Sequence, residues 1–516
     1  MSFMKKKKIL AALALGTAIF AFAGCGGTQD KAADKTFTYG TMAYGVAMEN
    51  AGTNPHDTYV GWSTLRYGIG ETLFRFTESM EVEPWLAENF EQTDDYTLKI
   101  KLRDNLVFSN GKQVTGEAVK ACLEDLLKVN DRAPKDLKID KIEADGQTVT
   151  LHSTEKVPSL VNYLADPYAC IIDMEAGEHD RIVVGTGPYV PESVTDTEIV
   201  LKKNDNYWGE EKPKMDKVIV KSITDGDTLT MAMQNGELDA VQGLPYASLQ
   251  LFEDESKYKV SQADTSRIYQ AAFNFHTPVL QDIHVRRAIS MACDKENFTK
   301  VLLHGQGAPA VGPFPASMSF GDNAVKAPAF DLAAARQELA AAGYKDTDGD
   351  GYVDKDGKNL ELRYLTYTSR QELPLLAESL QASLKEIGIK LNVNATDNYK
   401  TFLKNGEYDI YAKAFVTAPT GDPEYYFTTH VLDSSAYNHG FYHSDRIEEL
   451  EQQLRNTYGA EARSKIAIQM EQQLLDDCAF LYASHLRMSF VMKKGVQGFK
   501  AHPSDYYEIT AALAKE

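Results

Sequence analysis

The chain is predicted to be an α/β protein built as more than one lobe, and three observations carry this. Short β-rich runs at Leu98 to Leu102, Thr148 to Leu151 and Lys217 to Ile223 alternate with amphipathic helical periods, the interleaving that marks an α/β protein. The 516 residues exceed what one hydrophobic core usually organises, so two or more lobes are expected. Hydrophobic residues make up 43%, charged residues 25% and the mean hydropathy is −0.36, the balance of a body that folds in water.

Taken in order, the chain opens on a basic cluster, Lys5 to Lys8, followed by an apolar run from Ile9 to Ala23 and then Gly24 and Cys25. A charged start, an apolar stretch of this length and small residues before the cut define a secretory signal over residues 1–24. The run is too short to cross a bilayer core comfortably. Phe22-Ala23-Gly24-Cys25 resembles a bacterial lipobox, which implies lipidation of Cys25 and anchoring outside the cytoplasm, on the outer face of the cytoplasmic membrane or in the periplasm. Residues 25–35 are small and polar, a flexible tether. Amphipathic helices are expected at 115–129, 285–303, 331–342, 371–387 and 445–476; in the last, Leu450, Leu454, Ile466, Met470 and Leu474 recur at helical spacing. Two apolar, strand-like runs, Ile268 to Phe275 and Ala479 to Val491, stand apart in sequence.

Charge and motif content exclude several functions. The formal net charge of −20 becomes −24 once the four lysines of the signal are removed, which argues against nucleic acid and against adhesion to anionic lipid. There is no G-x-S-x-G elbow and no H-E-x-x-H helix, so a hydrolase has no visible nucleophile or zinc site. Cys122, Cys170, Cys293 and Cys478 are far apart and without zinc-ligand spacing; buried free thiols are expected. No prosthetic cofactor is called for.

Several stretches converge on one family. Gly70-Glu71-Thr72-Leu73-Phe74 with Pro84-Trp85-Leu86-Ala87-Glu88, Lys101 to Asp104 with Phe108 to Gly111, and Gly185-Thr186-Gly187-Pro188-Tyr189 come first. Asn204 to Trp208, Asn235 to Asp239, Val285 to Ile289 and Phe330 to Tyr344 follow in the same order as in solute-binding proteins of the peptide/nickel class of bacterial ABC importers, family 5. The resemblance covers residues 37–510. It implies a two-lobed, hinged fold of the periplasmic-binding-protein kind, type II, with an extra subdomain. Lobe I would span 36–270 with a subdomain inserted at about 72–182, lobe II 271–485, and 486–516 would return to lobe I. Ile268 to Phe275 and Ala479 to Val491 would be the crossings between lobes. It further implies a monomeric, non-enzymatic receptor that closes on a small molecule and presents it to an ABC permease and its ATPase.

One segment helps to choose the ligand. Peptide-binding members carry an aspartate, in a stretch ending Asp-Pro, that pairs with the peptide ammonium; aligned on Asp422-Pro423, that position is Pro419 here and the tryptophan position is Val416. A buried ammonium without a carboxylate is strongly unfavourable. Ala418-Pro419-Thr420-Gly421-Asp422-Pro423 instead resembles the nickel-binding members, with Thr417 where they carry an aromatic residue. That implies nickel, or a related metal, taken as a complex with histidine or an opine-type metallophore; a di- or oligopeptide is the alternative. The resemblance places a metal-coordinating imidazole at His439, in a loop with Tyr437 and Asn438, and His485 at the second crossing is a further candidate. Arg132 matches an arginine that holds the chelator's carboxylates, while a second such arginine aligns with Tyr168. His56, Tyr59 and Trp62 complete the expected lining. Separately, Asp346, Asp348 and Asp350 stand at positions 1, 3 and 5 of an EF-hand-like loop and could take calcium, although position 12 is Gly357.

Overall fold

The computed structural model describes residues 35–42, 52–57 and 59–516. The expected signal, Cys25 and all of the tether but Lys35 lie outside the described residues. Among the described residues no helix is long and apolar enough to cross a membrane.

Two long strands organise the molecule. Tyr258–Phe273, 16 residues, runs antiparallel to Phe480–Lys493, with Tyr258 opposite Lys493 at one end and Ala272 opposite Phe480 at the other. On one side, Ile410–Val416 pairs with the first strand, and Glu361–Thr366 and Lys390–Ala395 follow in parallel. On the other side, Ala240–Gln242 pairs with the far end of the second strand; Thr36–Thr41, Lys217–Ser222, Glu198–Lys203 and Tyr189–Val194 follow. With Gly307–Pro309 on the second strand, this is one 11-stranded sheet. The long strands therefore join the two halves of the sheet. Their runs of Ala, Phe, Leu and Tyr are buried on both faces, which is why they read as apolar stretches rather than as alternating ones. Separate cores flank the sheet: one around Phe37, Tyr39, Tyr189 and Phe490, another around Tyr269, Ile289, Leu339 and Leu376.

A second, four-stranded antiparallel sheet, in the order Ala87–Asp94, Thr97–Leu102, Thr148–Ser153 and Ile139–Asp145, carries the helix Gly116–Val129. That helix starts where Thr115 Oγ1 accepts the Ala118 N–H at 3.3 Å, and it buries Val119, Cys122, Leu123 and Leu126, an i, i+3, i+4, i+7 stripe. Two of the sequence motifs meet at Glu71. Its carboxylate accepts from Tyr207 Oη at 2.7 Å and Trp208 Nε1 at 2.6 Å, and burial pushes it up to about 7. Gly185 and Gly187 do not sit at positive φ. They are required because any Cβ would collide with the carbonyl oxygens of Ile69 and Gly68.

Two expected helices are broken. The 285–303 run is Ile283–Met291 followed by a new start at Lys295, where the Asp294 carboxylate caps Asn297 N–H at 2.9 Å. The 445–476 run is two helices, Asp445–Arg455 and Ala460–Asp476, separated at Gly459, whose φ is +89°. Helices Leu332–Ala341 and Glu372–Glu386 lie where the periodicity places them. Cys122, Cys170, Cys293 and Cys478 are buried and free.

Candidate functional site

A cavity of about 1200 Å³ lies over the long strands, lined at its base by Thr265, Ser266 and Arg267 of the first and Leu486 to Ser489 of the second. One wall comes from Tyr59, Trp62 and Arg66, from Arg132, Asp136 and Asp166, and from Pro503 to Tyr506 near the C-terminus. The facing wall comes from Arg370 to Glu372, Ala414 to Val416, Ala418 to Thr420 and Tyr425. This is the size of a site for a small organic ligand or complex.

The first wall is closely packed and largely self-neutralised. Trp62, on the short helix Gly61–Arg66, meets Tyr59 edge-on at 5.8 Å and Tyr506 at 6.3 Å. Arg66 donates to the Asp505 carbonyl at 2.9 Å, pairs with the Asp505 carboxylate, and lies 3.4 Å from Glu508. Arg132 binds Asp166 at 3.1 Å, stands 3.8 Å from Asp136, and lies over the rings of Tyr168 and Tyr59 at 5.1 and 5.7 Å. Burial opposes the Arg132 charge, and Asp166, Tyr168 and Asp136 together more than offset it, so the guanidinium is held protonated. Burial also pushes Asp136 up to about 6. Tyr168, the position of the absent second arginine, is thus a support for Arg132.

The facing wall is held from behind. Thr417 is buried, its Oγ1 donating to the carbonyls of Ser266 and Pro313 at 2.9 Å each, so it fastens the end of the strand instead of lining the cavity. Asp422 and Glu424 both bind Arg463, at 2.7 and 2.8 Å, beneath the surface of the cavity. Across the opening, Tyr246 Oη donates to Glu372 Oε1 at 2.5 Å, and the second oxygen, Oε2, has no hydrogen-bond partner among the described residues.

Of the residues singled out from sequence, Arg132, Tyr59 and Trp62 come together in the cavity, which Pro419 also lines. The histidines do not. His56 is buried against Asp125, with Nδ1 2.8 Å from the carboxylate and Nε2 3.5 Å from Cys122 Sγ. His485 is 1% exposed, its Nε2 bound to Asp322 at 3.1 Å and its Nδ1 without a partner among the described residues. His439 lies in a layer behind Phe415: its ring meets Tyr437, Tyr437 stacks on His430 at 5.4 Å, and His430 stacks at 3.7 Å on Phe415, which does face the cavity. Lys413 fills this layer, donating to the Tyr437 carbonyl at 2.9 Å. Burial, reinforced by Lys413, pushes His439 down to about 4; burial alone pushes Lys413 down to about 7. Asn438 is a loop staple, Nδ2 donating to the carbonyls of Val431 at 3.0 Å and Tyr442 at 2.8 Å.

In the acidic loop, carboxylate oxygens of Asp346, Asp348 and Asp354 lie within 4.8 Å of one another. Asp350 is not in that group: it accepts from Asn359 Nδ2 at 2.7 Å and from the Tyr352 N–H at 2.8 Å. The trio expected for calcium is therefore not the one assembled. Asp346 and Asp354 are engaged by the loop's own donors, Gly349, Gly351 and Thr347, and the calcium expectation finds no support there.

Sequence reading missed Arg66, Arg267, Arg370, Glu372, Phe415 and Tyr425. Only Arg267 left a trace, as a lone cation entering the apolar run that begins at Ile268.

Residues 81–438 match the family described as bacterial extracellular solute-binding proteins, family 5. The crystal structure of a nickel ABC transporter protein from Bacillus halodurans superposes with a TM-score of 0.83 at 29% identity, over 93% of this chain and 99% of that one. NikA from Staphylococcus aureus, crystallised in complex with Ni(L-His)2, superposes with a TM-score of 0.70 at 26% identity, over 93% of this chain and 100% of that one. The probable D,D-dipeptide-binding periplasmic protein DdpA of Escherichia coli (strain K12) is 27% identical over 82% of this chain and 83% of its own length.

Proposed function

The chain belongs to the bacterial extracellular solute-binding proteins of family 5, and from that premise we propose that it captures nickel, or a related transition metal, as a small-molecule chelate. The observation that carries the choice is at the facing wall. Pro419 stands where peptide binders present a carboxylate, and Asp422 and Glu424 are both committed to Arg463. A peptide ammonium there would be buried unpaired. The similarity to a protein crystallised with Ni(L-His)2 points the same way.

On this reading Trp62, Tyr59 and Arg132 bind the chelator, no bond is made or broken, and the ligand shifts an open–closed equilibrium toward the closed form that a permease and its ATPase recognise. We place lobe I at 36–270 with 486–516, its insert at 72–182, and lobe II at 271–485, with lipidated Cys25 anchoring a monomer outside the cytoplasm. The chelator supplies the metal's main donors, because His439 and His485 both lie off the cavity surface. A second reading, a di- or oligopeptide ligand, is favoured by the similarity to DdpA, with Glu372, which lines the cavity, as the acid left to meet an ammonium.

Calorimetric titration of the chain with nickel alone, nickel with excess L-histidine, and a dipeptide mixture separates them. Binding only with nickel plus histidine is expected, with His439→Ala and His485→Ala within about threefold of the parent, less than one charged hydrogen bond. Binding of dipeptides with silence toward nickel would overturn the proposal in favour of the second reading.

A further inference from the structure

We infer that Arg267 and Arg370 form an anion subsite in the cavity and receive a carboxylate of the bound ligand. This rests on reading the cavity as the ligand site, and it relocates the carboxylate contact from the residue that sequence resemblance suggested.

The cavity's cations fall into two groups. Arg66, Arg132 and Arg487 each hold carboxylates already: Asp505 and Glu508, Asp166 and Asp136, and Asp264 at 2.7 Å respectively. Arg267 and Arg370 have side chains with no hydrogen bond and no ion pair among the described residues. Arg267 sits opposite Val416 in the sheet, at the cavity base, and Arg370 immediately precedes the helix Glu372–Glu386. That helix begins at Gln371, also on the cavity surface, with no side chain capping its free N–H groups. Its positive end therefore adds to the same field.

Burial, and then the neighbouring Arg370, lowers the pKa of Arg267, so a partly buried cation stands beside a second, exposed one. Such an arrangement is unfavourable in the empty cavity and favourable once an anion lies between the guanidinium groups. Of the nearby acids, Asp505 is bound by Arg66 and offsets the surroundings of Arg267 only in part, and Glu372 accepts from Tyr246. The planar fork of arginine matches a carboxylate through two parallel hydrogen bonds, so a free carboxylate of an amino-acid chelator or of a peptide C-terminus is the chemistry that fits. Arg132, with two acids of its own, then acts as an aromatic-backed wall and gains little from a further anion.

The test compares ligands that differ only in that group. The intact chain is titrated with nickel plus L-histidine and with nickel plus L-histidinamide, then with a dipeptide and its C-terminal amide. The parent is expected to favour whichever acid form it binds by about tenfold or more, the scale of a charged hydrogen-bond pair. Arg267→Ala with Arg370→Ala should remove that preference while leaving the amide's affinity unchanged. Equal weakening of acid and amide, or a preference that survives the double variant, would overturn the inference. Preference confined to the dipeptide pair would defeat the nickel proposal yet support the subsite; binding of none of the four by the parent defeats both. Thermal unfolding checks that the variants fold, and the single change Arg370→Gln, at an exposed side chain, gives the same comparison should the double variant not.

Discussion

Arg463 is the residue on which the choice of ligand turns, although it does not line the cavity. Its Nε and Nη2 take both oxygens of Asp422, at 2.8 and 2.7 Å, and Nη2 also reaches Glu424, while Nη1 donates to the carbonyl of Leu454 at 2.6 Å. Both acids would otherwise stand free behind the wall that carries Pro419. Arg463→Met should cost about 3–5 kcal/mol, the scale of stranding buried carboxylates without their cation. Denaturant unfolding measures it, and a loss under about 1 kcal/mol, the scale of an exposed pair, would mean that the triad is solvated. At this scale Tyr59, Trp62 and Arg132, singled out from sequence, are found lining the cavity. Sequence was uninformative about histidines. His439 and His485 read as loop and crossing residues, but what Asp322, Lys413 and Phe415 do to their surroundings arises only from long-range packing.

Among the elements, the turn after the facing wall constrains the cavity. Gly421 has a φ of +67°, and a Cβ there would run into the carbonyl oxygen of Met80, another residue of the lining. Next to it, Asn162 Nδ2 donates to the Thr420 carbonyl at 2.9 Å. Gly421→Ala is therefore expected to destabilise the fold by about 1–3 kcal/mol through backbone strain, with further loss from the collision. Thermal or denaturant unfolding would show it, and unchanged stability would mean that the turn is not held against Met80. Periodicity located the helices well where one apolar stripe serves one helix, as at Gly116–Val129. It failed at 445–476, because Asp445–Arg455 and Ala460–Asp476 bury their stripes in the same core and the pattern runs on across Gly459.

For the whole molecule, two apolar runs more than 200 residues apart were legible as strands, and they lie in the paired long strands at the centre of an 11-stranded sheet. What no local pattern could supply was the sorting of the cavity's charges. Which arginines are neutralised and which are left depends on acids distant in sequence: Asp505 for Arg66, Asp166 for Arg132, Asp264 for Arg487. The outcome is a cavity with one settled, aromatic-lined wall and one cationic corner, inside a chain whose net charge is strongly negative. Such a corner favours an anionic group, such as a carboxylate, that the negative outer surface does not, so a preference for it would arise within the cavity.

The most direct test of chelate capture is to locate the metal. Crystals of the chain grown with nickel and L-histidine, measured at the nickel absorption edge, should give one strong anomalous peak inside the cavity, between Trp62 and Arg267, with density for the chelator around it. A cavity without nickel, or nickel found only at the Asp346, Asp348 and Asp354 loop, would contradict the account.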